Sequence, residues 1–234
     1  MILGIDTATE WVHLALDDGQ SSLARRLLTS PDRSASVVLL SLADELLQEA
    51  GAHRSDIKGV VTCIGPGGFT SLRVGIATSE GFGILGLPTW GFSAFELRAF
   101  SIRRSLQRGI VYIVMDGQRR EAFLQPWDME QMSATEKAVK VPTTALSSVI
   151  GDNDWWTPER FSHQLTSIMH SPPLAVENEG RSTLCALTEL CRICINRPVE
   201  NPLIPFYLRE TDAEVNFPAA SHHLQDIHRQ GLAR

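Results

Sequence analysis

The sequence predicts an α/β protein in which helices pack on the faces of a mixed β-sheet. Short apolar segments with strand character alternate with longer segments of helical periodicity. The chain opens with apolar segments separated by turn residues such as Asp17-Asp18-Gly19, which is typical of antiparallel hairpins. A later run from Gly59 to Ile64 is apolar throughout, as expected for a strand buried on both faces.

Turn and capping residues divide the first half of the chain into its elements. Ser34 or Ser36 can cap a first helix that Gly51 closes, and Thr70 can cap a second helix after a glycine-rich turn. The predicted strands are 2–5, 11–16, 22–28, 59–64 and 89–91, and the predicted helices are 34–50, 70–85 and 93–106.

A second unit follows, with weaker patterning. A strand over 110–115 is expected to turn at Asp116-Gly117-Gln118 into a strand over 121–125, with helices over 143–149 and 182–196. Three prolines after the last helix predict an extended path through 206–209. We expect an N-terminal subdomain over 1–106, a smaller subdomain over 107–181, a segment over 182–209 that packs back on the first, and a disordered tail over 210–234.

Composition narrows the functional classes. The chain of 234 residues is 43% hydrophobic and has a net charge of -6, which disfavours a free-standing nucleic-acid binder. No signal-like segment or membrane-length apolar run is seen, so we expect a cytoplasmic protein with no membrane partner. The four cysteines are expected to be buried thiols, and no metal ligand set stands out.

The glycine-rich turn from Gly65 to Thr70 is the most informative segment. Dense glycine lets another backbone or a ligand approach closely, so the turn could serve a phosphate or a protein partner. It is not a P-loop, because no Gly-Lys-Ser/Thr follows, and Thr70 occupies the last glycine position of the dinucleotide pattern.

Three segments together resemble the bacterial TsaB (YeaZ) family: Asp6-Thr7-Ala8-Thr9, the glycine turn with Arg73-Val74-Gly75, and Phe206-Tyr207-Leu208-Arg209. The resemblance implies two actin-like ATPase (ribonuclease H-like) subdomains, each a mixed sheet flanked by helices. It also implies a non-catalytic subunit in making N6-threonylcarbamoyladenosine in tRNA. The implied partners are the metal-bearing paralogue TsaD and the ATPase TsaE, with a possible homodimer when the chain is alone and tRNA contacted mainly through the complex.

The resemblance also places a degenerate phosphate site. In the kinase-like superfamily the first hairpin serves magnesium-bound water and phosphate, and the positions that match here are Asp6, Thr7, Thr9, Gly65, Gly67, Gly68 and Thr70. A working site needs a second phosphate hairpin and a glycine-rich adenosine loop, and the sequence contains neither. We therefore expect no required cofactor, at most weak or interfacial ATP or ADP with magnesium, and no catalytic residue.

The sequence of the first two long helices predicts a surface that binds a partner protein. Residues 37–40 place four apolar side chains around a whole helical turn, more than packing on one sheet requires. The second helix carries several small residues, which favour close approach of another helix. The predicted interface residues are Val37, Val38, Leu42, Arg73, Val74, Ala77, Thr78 and Gly81.

Two other functions stay open at this stage. One is a stand-alone kinase-like ATPase or an M22-type peptidase, the activity implied by the older glycoprotease label of the family. The other is a general binding module with no part in tRNA modification. Nucleotide turnover by the isolated chain and loss of tRNA modification on its depletion would separate them.

Overall fold

The computed structural model describes residues 1–30, 33–103, 105–106, 109–175 and 179–209. The predicted disordered tail, 210–234, lies outside these ranges. Within them the chain forms two mixed sheets, each flanked by helices.

The first sheet contains five strands in the order β3-β2-β1-β4-β5. Strands β1, β2 and β3 form an antiparallel meander, whereas β4 and β5 add to β1 in parallel. Strand β4 is buried along nearly its whole length, as its unbroken apolar sequence predicts. The strands are β1 Ile2–Asp6, β2 Trp11–Asp17, β3 Ser22–Leu28, β4 Gly59–Gly65 and β5 Thr89–Ser93.

Four helices cover the two faces of this sheet. Alternation along β1 sends Leu3 and Ile5 into a core beneath α1, while Gly4 lies against Leu187 and Cys191 of α6 on the opposite face. Helix α2 packs beside α1, and α3 packs beside α6. These helices are α1 Ala35–Glu49, α2 Phe69–Ile84, α3 Ala94–Ile102 and α6 Glu179–Cys194.

The second sheet is built on a long hairpin. Its order is β10-β6-β7-β8, with β9 also paired to β7, and β10 runs parallel to β6. One face packs on the short helices α4 and α5, and the other joins the core that contains α3 and α6. The elements are β6 Ile110–Gln118, β7 Glu121–Asp128, β8 Ser133–Ala134, β9 Val139–Pro142, α4 Leu146–Ile150, β10 Asp154–Trp156 and α5 Glu159–Leu165.

An extended segment, residues 197–209, follows α6, and we call it the C-terminal strap. Its backbone meets the ends of β4 and β5, where the Phe206 N–H donates to the Ile64 carbonyl at 2.7 Å. At its far end Arg209 binds the carboxylate of Glu121 and donates to the Gln118 carbonyl at 3.0 Å. The strap therefore contacts both sheets.

The structure corrects several local predictions. The turn expected at 116–118 lies two residues later, because Gly117 sits in a β-bulge and β6 continues to Gln118. Gly68, not Thr70, is the N-cap residue of α2, so the Thr70 hydroxyl lies within the first turn. Strands β8, β9 and β10 and helix α5 were not predicted, and the helix predicted over 93–106 ends at Ile102.

Within the described ranges, the helices are all too short or too polar to cross a lipid bilayer.

Candidate partner-binding face and the glycine turn

Asp6 ends β1 in the interior of the protein, not in an open cleft. Its carboxylate is fully buried, accepts the Ala8 N–H at 2.9 Å and lies 3.1 Å from Nδ1 of His13. Burial alone would raise the pKa of this carboxyl, but His13 and the positive charge of Arg98 bring the pKa below its usual value. The Asp6 carboxylate is therefore enclosed by side chains of its own chain.

Arg98 completes this buried charge cluster from helix α3. Its Nη2 lies 3.7 Å from the Asp6 carboxylate, and its Nη1 donates to the Thr183 hydroxyl at 3.0 Å. The sequence did not indicate this cluster, because its only signals were an isolated His13 and one arginine in an apolar helix. The neighbouring thiol of Cys63 has its pKa raised well above the ordinary value by burial and then by the Asp6 charge.

The two threonines of the hairpin differ in their surroundings. Thr7 is buried, and its Oγ1 has no hydrogen-bond partner among the described residues. This oxygen faces helix α2, since a Cβ placed on Gly75 would lie 2.5 Å from it. Thr9 is half-buried and its hydroxyl accepts the Trp11 N–H at 3.2 Å. The Thr7 hydroxyl is therefore enclosed, whereas the Thr9 hydroxyl accepts a backbone N–H of its own hairpin.

The glycine turn packs on this hairpin and on the strap. A Cβ on Gly67 would lie 2.3 Å from the Ala8 carbonyl oxygen, and the same oxygen accepts the Gly68 N–H at 2.8 Å. Gly65 has φ of +115°, and a Cβ there would lie 2.6 Å from the Phe206 carbonyl oxygen. The glycines are therefore required by close approach of the chain's own backbone.

These contacts bear on the expected interfacial nucleotide. The residues that would cradle phosphate meet the Ala8 and Phe206 carbonyls, and the carboxylate that would face magnesium is enclosed with Arg98. Thr70 is exposed to solvent, whereas the Asp6 carboxylate is buried. The residues present do not fit a nucleotide with magnesium at this place.

The exposed surface of α1 and α2 is the second candidate region, and we call it the helical face. The apolar residues predicted to surround one turn of α1 differ in their exposure. Val37 is 61% exposed and Leu40 is 54% exposed, whereas Val38 and Leu42 are buried in the core. The prediction that Val38 and Leu42 contact a partner is corrected, because their side chains pack under α1 against the first sheet. Two large apolar side chains remain at the surface of this helix.

Small residues continue the helical face on α2. Ala77 and Gly81 are exposed, whereas Val74 and Thr78 are half-buried, and the Thr78 hydroxyl donates to the Val74 carbonyl at 2.8 Å. Outside the helix backbone, no described atom lies within 4 Å of a Cβ placed on Gly81. Space for a second backbone is therefore open at Gly81, in contrast to Gly75.

An aromatic cluster borders the helical face at the start of α2. The Arg73 guanidinium lies 3.8 Å from the centre of the Phe69 ring, and its Nε donates to the Tyr207 hydroxyl at 2.9 Å. Phe69 and Tyr207 are 41% and 37% exposed, with ring centres 5.4 Å apart. This contact joins two of the segments on which the family resemblance rests, the glycine turn and the strap.

Cysteines and acidic residues form no metal set in the described part of the chain, where no three His, Cys, Asp or Glu side chains could hold one ion together. Cys63, Cys191 and Cys194 are buried, as expected, and burial raises the pKa of the Cys194 thiol to about 12. Cys185 is exposed, which corrects the expectation that all four thiols are buried.

A family model described as TsaD, tRNA N6-adenosine threonylcarbamoyltransferase, matches residues 30–150, just over half of the chain. The chain belongs to this family. The tRNA threonylcarbamoyladenosine biosynthesis protein TsaB of Escherichia coli (strain K12) is 28% identical over 132 residues, which cover 56% of each protein. An uncharacterized protein of Mycobacterium leprae is 33% identical over 132 residues, covering 53% of this chain and 34% of the relative. The chain thus spans about a third to just over half the length of these curated relatives.

Solved structures extend the family likeness to the fold. YeaZ from Pseudomonas aeruginosa superposes with a TM-score of 0.70 at 20% identity, covering 88% of this chain and 99% of that protein. The predicted fold class, two mixed sheets flanked by helices in the actin-like arrangement, is confirmed. The resemblance to TsaB (YeaZ) that the three segments indicated is confirmed as well.

Proposed function

We propose that this chain is a non-catalytic subunit in the formation of N6-threonylcarbamoyladenosine in tRNA. Family membership and the likeness to TsaB support the role in tRNA modification. The helical face carries the proposal of a binding subunit, because it exposes two large aliphatic side chains on α1 and an open glycine on α2, the helix packed beside it. Exposed apolar patches of this kind mark protein interaction sites.

The partner that fits the helical face is another helix pair. Val37 and Leu40 supply apolar contacts, and Ala77 with Gly81 allows a second backbone to approach α2 closely. A TsaD-type paralogue of this chain would bring such helices, with a TsaE-type ATPase joining the assembly. A second copy of this chain would offer the same surface in the absence of the paralogue, and tRNA would be reached mainly through the complex.

The contacts of the hairpin and the glycine turn favour this function over a stand-alone ATPase. Asp6, the only acidic residue of the predicted phosphate positions, is fully buried and paired with His13 and Arg98. The backbone amide of Gly68 is used by the Ala8 carbonyl. The residues that an ATPase would use therefore stabilise the first subdomain.

Co-purification of this chain with the TsaD paralogue of the same organism tests the proposal. Gly81→Arg places a long side chain where the second backbone would lie, and Val37→Asp places a charge in the apolar contact. We expect each to weaken the complex by at least about 2 kcal/mol, roughly thirtyfold in Kd. Val149→Asp is the matched control, since Val149 is an exposed valine on α4, in the second subdomain.

Each variant must first show the wild-type circular dichroism and urea midpoint. A complex that survives both substitutions in folded protein would refute the helical face as the binding surface. Robust ATP turnover by the isolated chain, lost in Asp6→Ala, would refute the non-catalytic role.

A further inference from the structure

A groove with both apolar and polar lining lies at the turn of the β6–β7 hairpin, in the second subdomain. It has a volume of about 540 Å³ and is lined by the turn, the residues that lead into α4, and α5 with the residues that follow it. Phe161, Leu165 and Ile168 give it apolar surface. Its polar lining includes Gln118, Arg119, Arg120, Thr143, Thr144 and Gln164. The groove shares no residue with the helical face.

The hairpin turn that forms one wall has an unusual sequence for its geometry. Gln118 pairs with Glu121, so Arg119 and Arg120 are the two loop residues, with φ of +52° and +63°. Two-residue hairpin loops with positive φ at both positions strongly prefer Asn-Gly, because a Cβ is unfavourable there. Two exposed arginines at these positions cost folding free energy, and strain of this kind clusters at binding sites.

The charges around the groove favour an anion. Glu121 is bound by Arg209 and lies 3.3 Å from Nζ of Lys140, and the Arg209 hydrogen bond is the main reason that the pKa of Glu121 is lowered. Asp116 is engaged by the Gln118 N–H at 2.7 Å. The groove lining therefore holds Arg119 and Arg120 together with Asp116 and Glu121, and the charge of Glu121 is already balanced by Arg209 and Lys140, which lie outside the lining.

We propose that this groove binds a phosphate ester through the guanidinium groups of Arg119 and Arg120. The planar guanidinium matches two phosphate oxygens at once, and the Thr144 hydroxyl and the Gln164 amide can donate further hydrogen bonds. The phosphate can belong to an RNA backbone or to a free nucleotide. The RNA source rests on the proposed role in tRNA modification, whereas the phosphate site itself does not.

Binding to the isolated full chain tests the site without the paralogue. A fluorescein-labelled tRNA transcript is titrated by anisotropy at several salt concentrations, and ATP without magnesium is titrated by calorimetry. Arg119→Gln with Arg120→Gln removes both guanidinium groups. Arg25→Gln with Arg54→Gln is the matched control, because it changes the net charge equally at exposed arginines of the first subdomain.

We expect wild type and the control pair to bind alike, and the groove pair to lose roughly tenfold affinity or more for each arginine. For tRNA, the slope of log affinity against log salt should fall by about one for each phosphate contact removed. Loss confined to tRNA assigns the site to an RNA backbone, and loss of ATP binding assigns it to a nucleotide.

A second variant shows whether a loss of binding comes from the missing charges or from misfolding of the turn. Arg119→Gly with Arg120→Gly removes the same charges while favouring positive φ, so it should fold at least as well and bind as weakly as the glutamine pair. Equal losses in the groove and control variants, or no binding of either probe by wild type, would overturn the proposal. Because this binding assay omits the paralogue, a negative result would refute the phosphate site without affecting the co-purification test of the helical face.

Discussion

The two sheets each begin with a hairpin. Charged side chains are buried at the end of the first hairpin strand and exposed at the end of the second. At the end of β1 the carboxylate of Asp6 is enclosed with His13 and Arg98, and the glycine turn closes over the loop. At the end of β6 the carboxylate of Asp116 is exposed beside two arginines on an open turn. The first hairpin therefore stabilises the fold, whereas the second presents its charges to solvent.

This difference explains why a motif resembling a phosphate site is insufficient evidence for nucleotide binding. The sequence Asp6-Thr7-Ala8-Thr9 offers the right donors and acceptors, but Asp6 and Thr9 accept backbone N–H groups of the same chain and Thr7 is buried against α2. The high glycine content of the turn was equally ambiguous as a sign of ligand binding. Because glycine has no Cβ, it allows either a ligand or a neighbouring backbone to approach closely. The distance from a Cβ placed on each glycine to its neighbours separates the two uses, and it assigns Gly65 and Gly67 to backbone packing.

The largest expected effect comes from Asp6→Asn compared with Asp116→Asn. The first change leaves the buried charge of Arg98 without its carboxylate and should cost about 3–5 kcal/mol of unfolding free energy. The second, at an exposed residue, should stay within about 0.5 kcal/mol of wild type. Urea denaturation of the three proteins measures both values, and equal destabilisation would show that the hairpins do not differ as described.

A smaller effect is expected where the first hairpin meets α2. Gly75→Ala brings a methyl group to within 2.5 Å of Thr7 Oγ1, and the overlap should cost about 1–3 kcal/mol. Adding Thr7→Ala removes that oxygen and should recover part of the loss. Thermal denaturation of the single and double variants gives the coupling, and strictly additive effects would contradict the close packing.

Gly81→Ala provides the contrast on the same helix. Because no described atom outside the helix backbone lies near the added methyl group, the substitution should stabilise the isolated chain by up to about 1 kcal/mol through helix propensity. A loss of stability in the same denaturation experiment would mean that Gly81 is packed against the chain itself.

The smallest effect concerns pH, since protonation leaves the Asp6 side chain in place. Its folded-state pKa lies below the unfolded value of 3.8, so its contribution to stability is present above that pH. As pH falls through the folded-state pKa this contribution is lost, so the difference in unfolding free energy between wild type and Asp6→Asn should narrow. Urea titrations across the acid range check this, and a gap that widens on acidification would contradict the sign of the shift.

Sequence patterns predicted the first sheet better than the second for a physical reason. Strand β3 was predicted with its observed bounds, and α1 and α2 to within one residue at each end, because alternating or helical apolar periodicity and turn residues agree there. Strand β10 has only three residues, and its Trp155 and Trp156 are buried by long-range packing that no local pattern encodes. The Arg119-Arg120 turn was missed because its residues contradict the usual preference for such loops.

The candidate site was also predicted only in part from the sequence. Helical periodicity indicated an all-round apolar turn on α1, but only the structure separates exposed Val37 from buried Val38. The pairing of Asp6 with Arg98 joins residues far apart in the chain, so nothing in either local segment could predict it. The contact between Arg73 and Tyr207 brings together two segments that lie far apart in the sequence, so it too could not be predicted from either one.

Reconstituted threonylcarbamoyl transfer to tRNA by the TsaD paralogue tests the central claim most directly. The reaction is run with wild type, Gly81→Ala and Gly81→Arg as the added subunit, and with each form of this chain alone. We expect stimulation by wild type and Gly81→Ala, little by Gly81→Arg, and no product from this chain without the paralogue. Full stimulation by folded Gly81→Arg, or product formed by this chain alone, would contradict a non-catalytic subunit that binds through the helical face.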